Sequence, residues 1–125
     1  MTRHVINTTN APAAIGPYSQ AIKLGGLVFT SGQIGLTPAG ELVEGLEAQV
    51  HQAFTNLGEI LKQAGGSFTS VVKFTLFLTD LNDFAALNDV FIANLSEPYP
   101  ARAAVQVAAL PKGGVVEIES IMYIE

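Results

Sequence analysis

The sequence predicts an α+β domain, with a mixed, mostly antiparallel sheet covered on one face by two helices. Three observations predict it. Strand-like residues cluster toward both ends of the 125-residue chain. Two internal segments repeat their apolar residues at helical spacing. Between them, Val71 to Thr79 is rich in β-branched and aromatic residues and reads as a central strand. The order strands, helix, strand, helix, strands places helices on one face of a sheet.

Arg3 to Asn7 reads as a short strand, and Thr8 to Pro17, with two prolines and a glycine, as an irregular loop. Gly25-Gly26 suggests a hairpin turn between Ser19–Leu24 and Leu27–Ile34. Thr37 to Gly45 is a second loop. Leu46, Val50, Ala53, Phe54, Leu57, Ile60, Leu61 and Ala64 then recur at helical spacing. Glu44 and Glu47 suit the positive end of that helix, and Gly65-Gly66 ends it. Asp80 suits the cap region of a second helix carrying Phe84, Leu87, Phe91 and Leu95, which Pro98 and Pro100 stop. Arg102 to Leu110 and Val115 to Ile124 read as strands joined by the turn-rich Pro111-Lys112-Gly113-Gly114. Residues 1–125 form one domain, with no linker or repeat, long enough for a core without metals or disulfides.

Composition narrows the function. Hydrophobic residues make up 49% and charged residues only 14%, against about 25% charged in an average domain. So little charge suggests that another copy of the chain covers part of the apolar surface. A net charge of −5 and singly scattered lysines argue against nucleic acid. Absence of cysteine excludes disulfides, thiol catalysis and cysteine-ligated metals. No apolar run reaches the roughly 18 residues of a membrane span, and no signal-peptide core opens the chain, so a cytoplasmic protein without membrane contact is expected.

Two charges stand in otherwise apolar strand segments: Arg102, within Pro100 to Leu110, and Glu117, within Val116 to Ile118. A charge in such a segment is solvated, paired or functional. Strand alternation sets Arg102, Ala104, Gln106 and Ala108 on one face, and Glu117 and Glu119 on a face opposite Val116, Ile118 and Met122. A guanidinium fork matches a small carboxylate, and a nearby carboxylate can activate water. The same pair also fits a structural ion pair or a solvated face.

Other candidates are less specific. Ser31-Gly32 is either a turn ending a strand or a hydroxyl and amides offered to an anion. Tyr18 anchors a turn or walls a pocket. Asn82 and Asn88 flank the second helix, where capping is their ordinary role. His4 and His51 have no partners at metal-ligand spacing, so no metal is expected.

Taken in order, Ala13-Ala14-Ile15-Gly16-Pro17-Tyr18-Ser19-Gln20, Thr30-Ser31-Gly32-Gln33-Ile34, Asp80-Leu81-Asn82-Asp83-Phe84 with Asn88, Pro100-Ala101-Arg102, Leu110-Pro111-Lys112 and Val116-Glu117-Ile118-Glu119 resemble the Rid, or YjgF, family of reactive-intermediate deaminases. The resemblance spans essentially the whole chain. It implies a chorismate-mutase-like fold and a homotrimer whose sheets form a central barrel, with sites between subunits. It implies hydrolysis of short-lived enamines and imines, such as 2-aminoacrylate and 2-aminocrotonate, to 2-oxo acids and ammonia. Their source would be pyridoxal-phosphate-dependent dehydratases, while the protein itself needs no cofactor. Arg102 would bind the substrate carboxylate, and Glu117 would activate water and shuttle the proton. Tyr18 and Ser31 would line the pocket, Gly32 and Ala104 would offer backbone groups, and Asn88 would support the site. Many relatives carry cysteine where this chain has Ala104, so thiol chemistry there is lost. Two other readings compete: a non-catalytic module holding 2-oxo acids or short carboxylates, and a ribonuclease or translation inhibitor.

Overall fold

The apolar repeat at 46–64 winds into helix α1 (Leu46–Gln63), which buries Val50, Ala53, Phe54, Leu57, Ile60 and Leu61 along one stripe. Glu47 in its first turn and Lys62 in its last complement the helix dipole. Gly65, at φ 98°, takes the left-handed conformation that releases the chain from the helix. The second helix, α2 (Phe84–Asn94), follows a 3-10 turn at Leu81–Asp83 whose N-cap is Asp80. The computed structural model describes residues 2–125.

Six strands form one sheet: β1 (Arg3–Ile6), β2 (Ala21–Leu24), β3 (Leu27–Thr30), β4 (Val71–Leu78), β5 (Ala101–Gln106) and β6 (Val116–Tyr123). Their spatial order is β1-β2-β3-β6-β4-β5. Every neighbouring pair is antiparallel except β4 and β5, which are joined through α2 by the crossover that parallel strands require. The expected α+β architecture with a mixed, mostly antiparallel sheet is what forms.

Alternation along the strands decides the layers. Val28 and Thr30, Phe74, Leu76 and Leu78, and Val116, Ile118 and Met122 point toward the helices and are buried. Phe54, Phe74 and Phe91 join the layers, with ring centroids 4.9 to 6.0 Å apart. The opposite sheet face is left open. A row of Val5, Ile22, Phe29 and Ile121 crosses it, and Phe77 and Val105 extend it toward β5. Val5, Phe29 and Val105 are exposed there.

Three expectations need correction. The segment Arg102–Leu110 is a strand only to Gln106, and it does not pair with the last strand, because β4 lies between them. The parallel pairing with β4 ends where the Val107 amide donates to the Leu78 carbonyl, and the chain then crosses back through the Pro111–Gly113 turn. The strand expected over Leu27–Ile34 breaks after Thr30, because an extra residue bulges at Ser31-Gly32. Phe29 faces Ile121 and Gln33 faces Ile118, so positions 29 to 33 oppose positions 121 to 118, four steps against three. Asn88 does not flank the second helix but stands inside it.

Candidate active site

The bulge turns Gly32 toward Glu117. A Cβ built on Gly32 would lie 2.7 Å from the Glu117 Cδ and 2.8 Å from its Oε2, so only glycine leaves room for the carboxylate. Gly32, Glu117, Tyr18, Ile34 and Lys112 line a cleft of about 670 Å³. The bulge itself is tied down. Ser31 donates its hydroxyl to the Ser19 carbonyl at 2.6 Å, and the Ser31 amide donates to the Gln20 carbonyl at 2.8 Å. The Tyr18 hydroxyl accepts from the Ile15 amide at 3.3 Å, leaving its proton free to donate into the cleft.

Gln20 sets the far wall. Its buried amide accepts from the Thr8 amide at 2.7 Å and donates to the Thr8 and Pro12 carbonyls at 3.0 and 2.8 Å. One side chain thus supplies the backbone partners that the irregular loop cannot find in a ladder.

Glu117 is half-buried, and that burial pushes its carboxyl above the ordinary carboxylate range. The Glu119 carboxylate, two residues on and on the same face, pushes in the same direction. A carboxyl poised in this way can take a proton from water and return it to a leaving group.

Arg102 lies elsewhere. It pairs in register with Phe74, so it shares the helix-covered face at the β5 edge. Its guanidinium carbon sits 4.8 Å from the Phe84 ring centroid and 5.3 Å from that of Phe91. Arg102, Asn88, Phe91, Ile92, Tyr99 and Pro100 line a second cleft, of about 510 Å³. Ala104 follows two residues along the same face and packs against the core.

Glu117 pairs with Phe77 on the open face. Within one chain, then, Tyr18, Gly32 and Glu117 come together, and Asn88 and Arg102 come together, on opposite faces of the sheet. The expected pairing of Arg102 with Glu117 is not made within the chain. Ser31 braces the Glu117 cleft from behind. Sequence reasoning missed Gln20, Lys112, Phe84 and Phe91. The phenylalanines fit the core periodicity, and nothing local marks them as partners of a strand residue up to eighteen positions away. Among the described residues no cluster of three or more His, Cys, Asp or Glu is grouped to hold a metal ion, and no helix is long and apolar enough to cross a membrane.

A sheet with one open face, a half-buried carboxyl in a cleft on that face and an arginine in a second cleft at the helix-side edge mark an α+β protein with two candidate clefts. The family model described as Endoribonuclease L-PSP matches residues 8–124, and the chain belongs to that family, the Rid family. It is 56% identical over 123 residues to the 2-iminobutanoate/2-iminopropanoate deaminase of Capra hircus, covering 97% of this chain and 90% of that protein. RidA from the Antarctic bacterium Psychrobacter sp. PAMC 21119 superposes with a TM-score of 0.94 at 65% identity, over 97% of this chain and 99% of that one. Escherichia coli TdcF with bound serine superposes with a TM-score of 0.91 at 43% identity, over 98% of this chain and 99% of that one.

Proposed function

We propose that this protein hydrolyses short 2-imino acids and their enamine tautomers to 2-oxo acids and ammonia. The observation that carries the reading is Glu117, a half-buried carboxyl held above its ordinary pKa beside Gly32 and Tyr18. The relative from Capra hircus, named a deaminase of 2-iminobutanoate and 2-iminopropanoate, supplies the substrate class. The serine in TdcF has the size and the carboxylate expected of such a ligand.

A complete site needs both clefts. Because Arg102 and Glu117 lie on opposite faces, Glu117 of one copy would join Arg102 of a neighbour in a homotrimer. The apolar row through Phe29, Phe77 and Val105 would turn inward as the contact between copies. That association matches the low charge content of the chain.

In this arrangement Arg102 grips the substrate carboxylate through two parallel hydrogen bonds. Ionised Glu117 takes a proton from water as the water oxygen attacks the carbon of the protonated imine. A tetrahedral amino alcohol forms, with Tyr18 donating a hydrogen bond. Glu117 then returns the proton to nitrogen, and as the C–N bond breaks to release ammonia the hydroxyl proton passes to Glu117 and the C=O bond forms. An imine carbon next to a carboxylate is already electrophilic, so orientation and proton transfer suffice, together worth about 10²-fold or more. The step uses no cofactor of the protein's own. Its substrates would come from pyridoxal-phosphate-dependent dehydratases, which release enamines.

The test couples the purified protein to a threonine dehydratase and follows 2-oxobutanoate. Faster release of the oxo acid, lost in Arg102→Ala, supports the reading. Saturable 2-oxobutanoate binding without acceleration would favour a carboxylate-binding module instead. RNA cleavage, named in the family description, is disfavoured by the net charge of −5 and the scattered lysines.

A further inference from the structure

The Asp80–Phe84 block and Gln106 take no part in the chemistry above, yet they converge on Arg102. We propose that Phe84 and Phe91 are positioning residues, an aromatic rest that holds the Arg102 guanidinium ready for a carboxylate, and that Gln106 is the brace that sets Phe84. The inference rests on the reading of Arg102 as the carboxylate-binding residue.

Both ring centroids lie within the roughly 6 Å over which an aromatic face attracts a guanidinium. Phe84, Asn88 and Phe91 recur at i, i+4 and i+7, so they present one face of α2 to the same strand. Phe91 is buried and immobilised, its centroid 5.4 Å from that of Phe54 and 4.9 Å from that of Phe74. Phe84 is only half-buried and opens the helix, so something else must fix it. That something is the 3-10 turn before it. Asp80 Oδ1 accepts from the Asn82 amide at 2.9 Å, and Gln106 Oε1 accepts from the Leu81 amide at 3.0 Å. Gln106 and Arg102 stand on the same face of β5, four residues apart. The strand that carries the arginine therefore also carries the brace for the ring that rests on it.

The choice of aromatic partners has a chemical reason. A carboxylate beside Arg102 would occupy the fork that the substrate needs. An aromatic face restrains the flat of the guanidinium and leaves its N–H edge free for a planar anion. Asn88, between the two rings in sequence, lines the same cleft as Arg102.

The experiment measures kcat/KM on 2-iminobutanoate formed in situ for Phe84→Leu, Phe84→Tyr and Gln106→Ala, with Arg102→Ala measured beside them. Alongside, the Arg102 Nε–Hε NMR resonance is followed, which is simple because Arg3 is the one other arginine in the chain. Phe84→Leu should lower kcat/KM about 3- to 10-fold while Phe84→Tyr stays near the parent. Gln106→Ala should act in the same direction but less strongly. The Arg102 resonance should lose the Phe84 part of its ring-current shift in Phe84→Leu and keep it in Phe84→Tyr. Parent-level kcat/KM in a folded Phe84→Leu protein, or an unmoved Arg102 resonance, would overturn the inference. If Phe84→Leu does not fold, Gln106→Ala and its Arg102 resonance decide in the same way. A fully active Arg102→Ala protein would instead remove the reading beneath it, a separate and recognisable failure.

Discussion

Arg102 and Glu117 stand on opposite faces of one sheet, Arg102 in register with Phe74 under the helices and Glu117 in register with Phe77 on the open side. No side-chain rotation within a chain brings the two together, because the backbone layer lies between them. The chemistry assigned to them therefore depends on association, and so do several of the predictions.

The first concerns Gly32. A methyl group at this position would come within 2.7 Å of the Glu117 Cδ, so Gly32→Ala must displace the carboxylate. Overpacking of this kind costs about 1–3 kcal/mol. We expect a measurably lower Tm and a deaminase rate reduced at least ~10-fold, as in Glu117→Gln, since both remove a positioned base.

Glu117 also predicts a pH dependence. Its folded-state pKa is raised by burial and then by Glu119, so the folded protein holds this proton to higher pH than the unfolded chain does. The stability from the protonated form is fully present below the unfolded value, near pH ~4.3, and is lost as pH rises through the folded value. Glu117→Gln should therefore be more stable than the parent at neutral pH, with the gain vanishing in acid. Activity should rise with pH through an apparent pKa above the ordinary carboxylate range. Glu119→Gln should move that midpoint downward. Thermal melts and rate profiles from about pH 4 to 8 check both.

Gln20 is the buried clasp of the loop at 8–12. Gln20→Ala removes the partner of the Thr8 amide and of the Thr8, Ala11 and Pro12 carbonyls, a loss of about 1–3 kcal/mol or more. Thermal unfolding should show it, together with a raised KM from a loosened cleft wall.

The open sheet face gives a fourth prediction. Phe29→Glu or Val105→Glu places a charge in the proposed contact between copies, where an unpaired charge is strongly disfavoured. Sedimentation should show dissociation toward monomer, with deaminase activity falling in step.

How much of this was legible in the sequence follows from the range of each interaction. Helix α1 declares itself because its apolar residues share one stripe, and β6 because its buried and outward residues alternate. Ser31-Gly32 could be read as a turn ending a strand, as it does after Thr30, but the bulge was not legible, since the extra residue shows only against the partner strand. Nor was the separation of β5 from β6. The Pro111–Gly114 segment has hairpin composition, but the parallel pairing of β5 with β4 is set by the α2 crossover and not by the turn. Arg102 and Glu117 could be singled out as charges in apolar strands. Which faces they occupy relative to each other depends on register across β4, a long-range property that local pattern does not encode.

The most direct test mixes two inactive proteins. Arg102→Ala keeps Glu117, and Glu117→Gln keeps Arg102. If each site takes Glu117 from one chain and Arg102 from the next, random co-assembly after mild denaturation and refolding restores about a quarter of the parent activity. If the mixture stays as inactive as its components while forming the same oligomer, the site is not shared between chains and the account is wrong.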